Sequence, residues 1–135
     1  MEHMKTVVDH DRFAAHVGIR LTAVGAGYAR AELDVADCHL NGLGTAHGGV
    51  IFTLADLAFA AASNSHGIDA MAVTVHISYF KAVREGTLIA EATELSLNRK
   101  LATYAVHVSE KNGDRVAAFV GTAYRKSPKD GAGRS

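Results

Sequence analysis

Gly48-Gly49-Val50-Ile51-Phe52-Thr53-Leu54-Ala55-Asp56-Leu57-Ala58-Phe59-Ala60-Ala61-Ala62-Ser63 is the stretch on which the fold turns. Only Thr53 and Asp56 interrupt its apolar surface before the final serine, so a helix formed here has no polar face to give to water and must be buried nearly all round. The segments on either side supply the cover. Ile19–Val24 and Tyr28–Val35 read as a hairpin across Gly25-Ala26-Gly27, with Ala29, Ala31, Leu33 and Val35 alternating against Arg30, Glu32 and Asp34. After the helix come four further strands, Ala70–Phe80, Thr87–Leu97, Ala102–Lys111 and Arg115–Arg125, the last two joined by the turn Asn112-Gly113-Asp114. A short amphipathic helix over Val7–His16 precedes them all. The pattern calls for an α+β fold, one antiparallel sheet wrapped around one greasy helix.

The chain has 135 residues and 48% hydrophobic content, which suits a single domain over 1–135 with its ordered core at about 7–125. The polar, turn-rich stretch after Tyr124 and the first few residues are expected to be loosely held. Fourteen basic and fourteen acidic residues cancel, leaving no overall field to attract nucleic acid or an anionic membrane. No apolar run reaches the length of a membrane span, and no secretory leader is apparent. Cys38 stands alone, which excludes an internal disulfide and any CxxC site and fits the cytoplasm.

Chemistry concentrates where the loop Ala36–Ala46, with Asp37, Asn41, Gly42 and Gly44, runs into the helix through His47-Gly48-Gly49. The first backbone N–H groups of a helix have no intrahelical partner and point out of its positive end, a geometry suited to an oxyanion. The paired glycines let a ligand carbonyl come close to that backbone. An ordinary helix start that tolerates glycine is the plainer account. Asp56 adds weight, because a carboxylate two turns into an apolar helix is costly unless something pairs with it or needs it. A buried ion pair or a hydrogen bond between subunits would also explain it. Gly48 and Asp56 lie eight residues apart, about 12 Å along one helix at 1.5 Å per residue. One small reacting carbon cannot touch both, so a shared site requires a second copy of the chain across a two-fold axis.

Asn41, Gly44, His47-Gly48-Gly49 and Asp56 resemble, at the same spacing, the signature of the PaaI-like (phenylacetic acid degradation) hotdog-fold acyl-CoA thioesterases. The resemblance runs over about residues 10 to 125, through Ser78-Tyr79-Phe80-Lys81, Asn98–Tyr104 and Gly121-Thr122-Ala123. It implies a hotdog fold with sites at a dimer interface, commonly within a tetramer, and hydrolysis of an acyl-CoA whose acyl group is aromatic, of the phenylacetyl or hydroxyphenylacetyl type. It further implies that the Gly48 N–H polarises the thioester carbonyl with Gly49 beside it. Asp56 of the neighbouring subunit would activate water or attack directly. Asn41 would orient the water or the carbonyl, His47 would shape the loop or assist the carbonyl, and Thr74 would hold the water by its hydroxyl. Thioester hydrolysis needs an oxyanion site and an activated water, the thiolate being a good leaving group, so neither a metal nor an organic cofactor is required.

Coenzyme A carries phosphates, for which Lys81 with Arg84 and Arg99 with Lys100 are the candidates, though solvated surface charge would account for either pair alone. Relatives often carry a proline shortly after the Tyr-Phe pair, where this chain has Lys81-Ala82. The remaining histidines show no metal-binding spacing and no Ser-centred GxSxG elbow is present. Two rival functions stand beside hydrolysis: a dehydratase, which wants a histidine placed differently relative to the helix acid, and an acyl-CoA sensor, which gives no reason to keep a costly carboxylate at Asp56.

Overall fold

The computed structural model describes residues 1–126. Two short helices, α1 (Glu2–Asp9) and α2 (Arg12–Val17), lead into strands β1 (Arg20–Gly25) and β2 (Tyr28–Asp34). A single 3₁₀ turn at Asp37–His39 opens the loop to helix α3 (Gly48–Ser63), followed by β3 (Ala70–Tyr79), β4 (Thr87–Leu97), β5 (Leu101–Glu110) and β6 (Arg115–Arg125). All neighbours pair antiparallel in the order β1-β2-β4-β5-β6-β3, so β1 and β3 form the edges. This is the antiparallel wrap around one helix read from the sequence, with strand limits within a residue or so of expectation.

The sheet receives α3 in two different ways. On the β2–β4 side the registers Ala29↔Ala92 and Ala31↔Ala90 set alanine against alanine, all fully buried, and small side chains let the helix come close. On the β5–β6 side Phe59 meets Tyr104 edge-on and Phe119 in a tilted arrangement, at ring-centroid distances of 5.7 and 5.5 Å. Gly121 is required there, since a Cβ would lie 3.0 Å from the rings of Phe59 and Phe119. Ile51, Leu54, Leu57 and Phe59 are almost wholly buried, each contributing about 1.5–3 kcal/mol over exposure.

The amino-terminal helix differs from expectation. Two helices meet where one was anticipated, because the Asp11 carboxylate accepts from the Ala14 N–H at 2.9 Å and starts a new helix, which Gly18 ends at φ 87°. Nor is the start loosely held, since α1 begins at Glu2 and Met4 is fully buried. The expectation for the carboxyl-terminal stretch falls, from residue 127 on, outside the described residues. Among the described residues no helix is long and apolar enough to cross a membrane.

Candidate active site

The loop before α3 is tied into shape by Asn41. Its Oδ1 accepts from the N–H groups of Leu43 (2.9 Å) and Thr45 (3.1 Å), its Nδ2 donates to Thr45 Oγ1 (3.0 Å), and its own N–H donates to the Thr45 carbonyl (2.8 Å). Asn41 is therefore a loop-former first, with one amide hydrogen left over. Gly44 takes the left-handed conformation at φ 75°, and a Cβ there would sit 3.3 Å from Arg84 Nη1, so Arg84 lies against this loop. The loop is held to the segment after β3 by the Ala46 N–H donating to the Val83 carbonyl at 2.7 Å.

His47 caps α3. Its Nδ1 accepts from the Gly49 N–H at 2.8 Å, while its carbonyl accepts from Val50 (3.0 Å) and Ile51 (3.2 Å). Of the first turn's donors, that leaves the Gly48 N–H without a partner among the described residues. Gly48 is further fixed by Tyr79 at the end of β3, whose hydroxyl donates to the Gly48 carbonyl at 2.9 Å. Sequence reading quoted Tyr79 in a strand motif but gave it no role, and the contact, spanning 31 residues, has no local signal.

Asp56 is half-buried and makes no hydrogen bond or ion pair among the described residues, which removes an ion pair within the chain as its explanation. Burial first, and then the neighbouring Asp11 charge, push its carboxyl above the ordinary aspartate range. It lies on a stripe of α3, Gly49, Phe52, Thr53, Asp56 and Ala60, that the sheet leaves partly uncovered. The helix expected to be buried nearly all round is thus open along one face, and that face carries the carboxylate. Beside its amino-terminal end lies a cleft of about 430 Å³, walled by Phe13, Val17, His39, Leu40, Val50 and Thr53.

The other sequence candidates scatter. Thr74 does not join the site: the register jumps between Ala72 and Thr74, so Thr74 pairs with Thr122 on the outer face while Ala72 pairs with buried Ala123. Lys81 is held by two carboxylates, Glu110 at 2.5 Å and Asp114 at 2.8 Å, which leaves little of its charge for a phosphate. Arg99 and Lys100 form the β4–β5 turn, whose Lys100 carbonyl accepts from Arg125 N–H. The next residue, Lys126, donates to the Asp69 carbonyl, so the turn belongs to the carboxyl-terminal end of α3, away from Gly48. Among the described residues no three His, Cys, Asp or Glu side chains are grouped to hold a metal ion.

A family model described as the thioesterase superfamily matches residues 43–117. The chain is 45% identical over 117 residues to a putative esterase of Archaeoglobus fulgidus, covering 86% of this chain and 76% of that protein. It is 30% identical over 125 residues to the acyl-coenzyme A thioesterase PaaI of Escherichia coli, covering 92% and 89%. A solved structure of a variant of the phenylacetic acid degradation protein PaaI from Thermus thermophilus superimposes with a TM-score of 0.82 at 39% identity, covering 85% of this chain and 99% of that one.

Proposed function

The chain belongs to the thioesterase superfamily, in its PaaI-like hotdog branch, and from that premise we propose that it is an acyl-CoA hydrolase whose site is completed by a second copy of the chain. The observation that carries the proposal is the pair of unsatisfied groups on α3, the Gly48 N–H and the Asp56 carboxylate, about 12 Å apart along one helix. Two antiparallel α3 helices side by side bring Gly48 of each level with Asp56 of the other when the two-fold axis passes at the level of Phe52, midway between them.

The edge strand β3 supports this pairing. Met71, Val73, Tyr79 and Phe80 are large exposed apolar residues on or just beyond an edge with open hydrogen-bonding groups, a surface that invites a second strand. Antiparallel pairing of two β3 edges also carries the partner's 98–100 turn toward the Gly48 end of this chain. Arg99 and Lys100 of one copy and Arg84 of the other then form the cationic mouth for the coenzyme A phosphates, with Lys81 a lesser contributor. The family expectation of a tetramer adds a further contact between such dimers.

In the reaction the thioester carbonyl oxygen accepts from the Gly48 N–H, and the partner's helix presents its Asp56 to water. Asp56 takes the proton as that water attacks the carbonyl carbon, or attacks the carbon itself to give an anhydride that water then opens. Either way the carbon–sulfur bond breaks, the coenzyme A thiolate leaves, and the acyl group departs as a carboxylate. Asn41 and His47 fix the loop and cap that aim the Gly48 N–H, and Gly49 keeps the approach clear. Thr74 has no part in it. No metal or organic cofactor enters. The branch in which the chain falls supports an aromatic, phenylacetyl-type acyl group, and the lone Cys38 fits a reducing, cytoplasmic setting. The test is thiol release from aryl and aliphatic acyl-CoAs by the wild type and by Asp56→Asn. Turnover of arylacetyl-CoA that vanishes in the folded variant supports the proposal; wild-type binding without turnover of any thioester sinks it.

A further inference from the structure

Gly48 and Gly49 give α3 a freely hinged start, since neither carries a side chain to restrict φ and ψ. An oxyanion donor, by contrast, works only when it is held in place, and a misplacement of about 1 Å costs on the order of 10²-fold in rate. The backbone beside the Gly48 N–H must therefore be stiffened from outside. The planar peptide between the two glycines is gripped at both ends. Its N–H, that of Gly49, donates to His47 Nδ1 at 2.8 Å, and its carbonyl, that of Gly48, accepts from the Tyr79 hydroxyl at 2.9 Å. The preceding peptide is held in turn through the His47 carbonyl, which takes the N–H groups of Val50 (3.0 Å) and Ile51 (3.2 Å). Three of these four bonds come from the helix start itself. The fourth comes from the end of β3.

Tyr79 reaches Gly48 because no side chain stands in the way: a Cβ there would lie 3.4 Å from both Cζ and Oη of the phenol. The strand end from which the ring projects is itself rigid. Tyr79 pairs with fully buried Ala117 of β6, and the Phe80 N–H donates to the Val116 carbonyl at 2.8 Å. One residue further, Lys81 is clamped by Glu110 at 2.5 Å and Asp114 at 2.8 Å. The ion cluster that occupies Lys81 thus anchors the segment that carries Tyr79. Partial burial raises the phenol pKa above its ordinary value, so the hydroxyl remains a neutral donor across the range in which a carboxylate base works.

We propose that Tyr79 is a positioning residue of the oxyanion site: its hydroxyl locks the Gly48–Gly49 peptide and with it the aim of the Gly48 N–H. The assignment rests on the reading of the chain as an acyl-CoA hydrolase and deepens it, giving a task to a side chain that touches neither the reacting carbon nor the water. The ring is 49% exposed and stands on the β3 edge where the second copy pairs. Covering that edge withdraws the hydroxyl from water and strengthens its bond to Gly48.

Two measurements test the assignment, and they fail separately from the hydrolase reading. Tyr79→Phe keeps the ring and its packing and removes only the hydroxyl. Its kcat for phenylacetyl-CoA should fall about tenfold with KM within about twofold of wild type, because a donor out of aim is lost chiefly to the transition state. A kcat within about threefold of wild type overturns the proposal. So does a loss that disappears at high protein concentration, since Tyr79 would then be a pairing contact only. The second measurement reads the aim of the N–H without turnover. Asp56→Asn is loaded with phenylacetyl-CoA isotope-labelled at the carbonyl carbon, and the carbonyl stretch is recorded by difference infrared spectroscopy. Binding should lower the frequency through the Gly48 N–H, and adding Tyr79→Phe should return it at least halfway to its value in free solution. A frequency that stays lowered in the double variant overturns the role of Tyr79 and leaves the hydrolase reading intact. No lowering in Asp56→Asn itself strikes the oxyanion reading, and the proposal falls with it.

Discussion

The two ends of α3 are built on opposite plans. At the carboxyl-terminal end the side chains of Ser63, Asn64 and Ser65 are all hydrogen-bonded among the described residues. Asn64 Oδ1 accepts from the Ala70 N–H at 3.1 Å, and its Nδ2 donates to the carbonyls of Ala60 (2.9 Å) and Ala70 (3.3 Å). Ser65 accepts from the Gly27 N–H at 2.8 Å and donates to the Ala62 carbonyl at 2.7 Å. Glu94 Oε1 takes both the Tyr104 hydroxyl and His66 Nε2 at 2.7 Å. Toward the amino-terminal end the Gly48 N–H, and at mid-helix the Asp56 carboxylate, have no partner among the described residues, and a cleft opens beside the first turns. Buried polar groups are normally satisfied, so the satisfied end is where the fold is held, and the unsatisfied groups are where the proposed function places its substrate. On that proposal one helix anchors the domain at its carboxyl-terminal end and carries the chemistry between its start and its middle.

Exchanging functions between the ends is the way to break that contrast. The largest effect is expected from Asp56→Asn, which should lower kcat by about 10³-fold or more, within the range of a lost general base or nucleophile. Its stability should move the other way. Asp56 has a raised pKa in the fold, so the stability linked to it is present at acid pH and is lost as pH rises through that raised value. Removing the ionisable group should therefore raise Tm at neutral pH, by calorimetry on wild type and variant. A Tm drop together with the activity loss would mean that Asp56 is structural. Next comes Gly48→Ala. The new Cβ would meet Tyr79 at 3.4 Å, within ordinary contact, and alanine favours the helix, so the fold should survive. Crowding of the oxyanion position should still cost about 10- to 100-fold in kcat. The counterpart at the other end is Asn64→Ala, expected to cost about 1–3 kcal/mol in denaturant unfolding by stranding the Ala70 N–H, with kcat per folded molecule unchanged.

The same contrast explains what could be read from the sequence. The buried helix, β2 and β4 to β6 follow from local periodicity, and the loop into Gly48 follows from its glycines and its place before an apolar run. Asp56 was legible because a lone carboxylate in that run is conspicuous. Where partners are distant, local reading fails. Lys81 looked free because Glu110 and Asp114, which hold it, lie about 30 residues away in sequence. Thr74 came from the resemblance alone, and the one-residue bulge at Val73, which turns the following side chains to the other face, has no signal in the run Ala72-Val73-Thr74-Val75. The bonding at that end of α3 was invisible for the same reason: Gly27, Ala70 and Glu94 reach Asn64–His66 from three separate segments. The single-helix reading of the amino terminus failed differently, since Asp11 as a helix start was available in the sequence and was absorbed into one longer period.

The smallest predicted effect sits at the saturated end and sharpens the division. Burial of the Glu94 carboxyl works to raise its pKa, but the hydrogen bonds from Tyr104 and His66 and the nearby positive charge of Arg125 outweigh it, and the net shift is downward. A carboxylate lowered in the fold lends stability that is fully present above its ordinary value and is lost as pH falls through the lowered one. Wild-type unfolding free energy should therefore decline on the acid side, and Glu94→Gln should flatten part of that decline while costing about 1 kcal/mol at neutral pH through weaker acceptance from the Tyr104 hydroxyl. The pH profile of kcat/KM should keep its acid limb in this variant, because the proposed mechanism assigns that limb to Asp56. A limb that moved with Glu94 would mean that the anchoring end and the reacting end are coupled, and the division of labour along α3 would have to be given up.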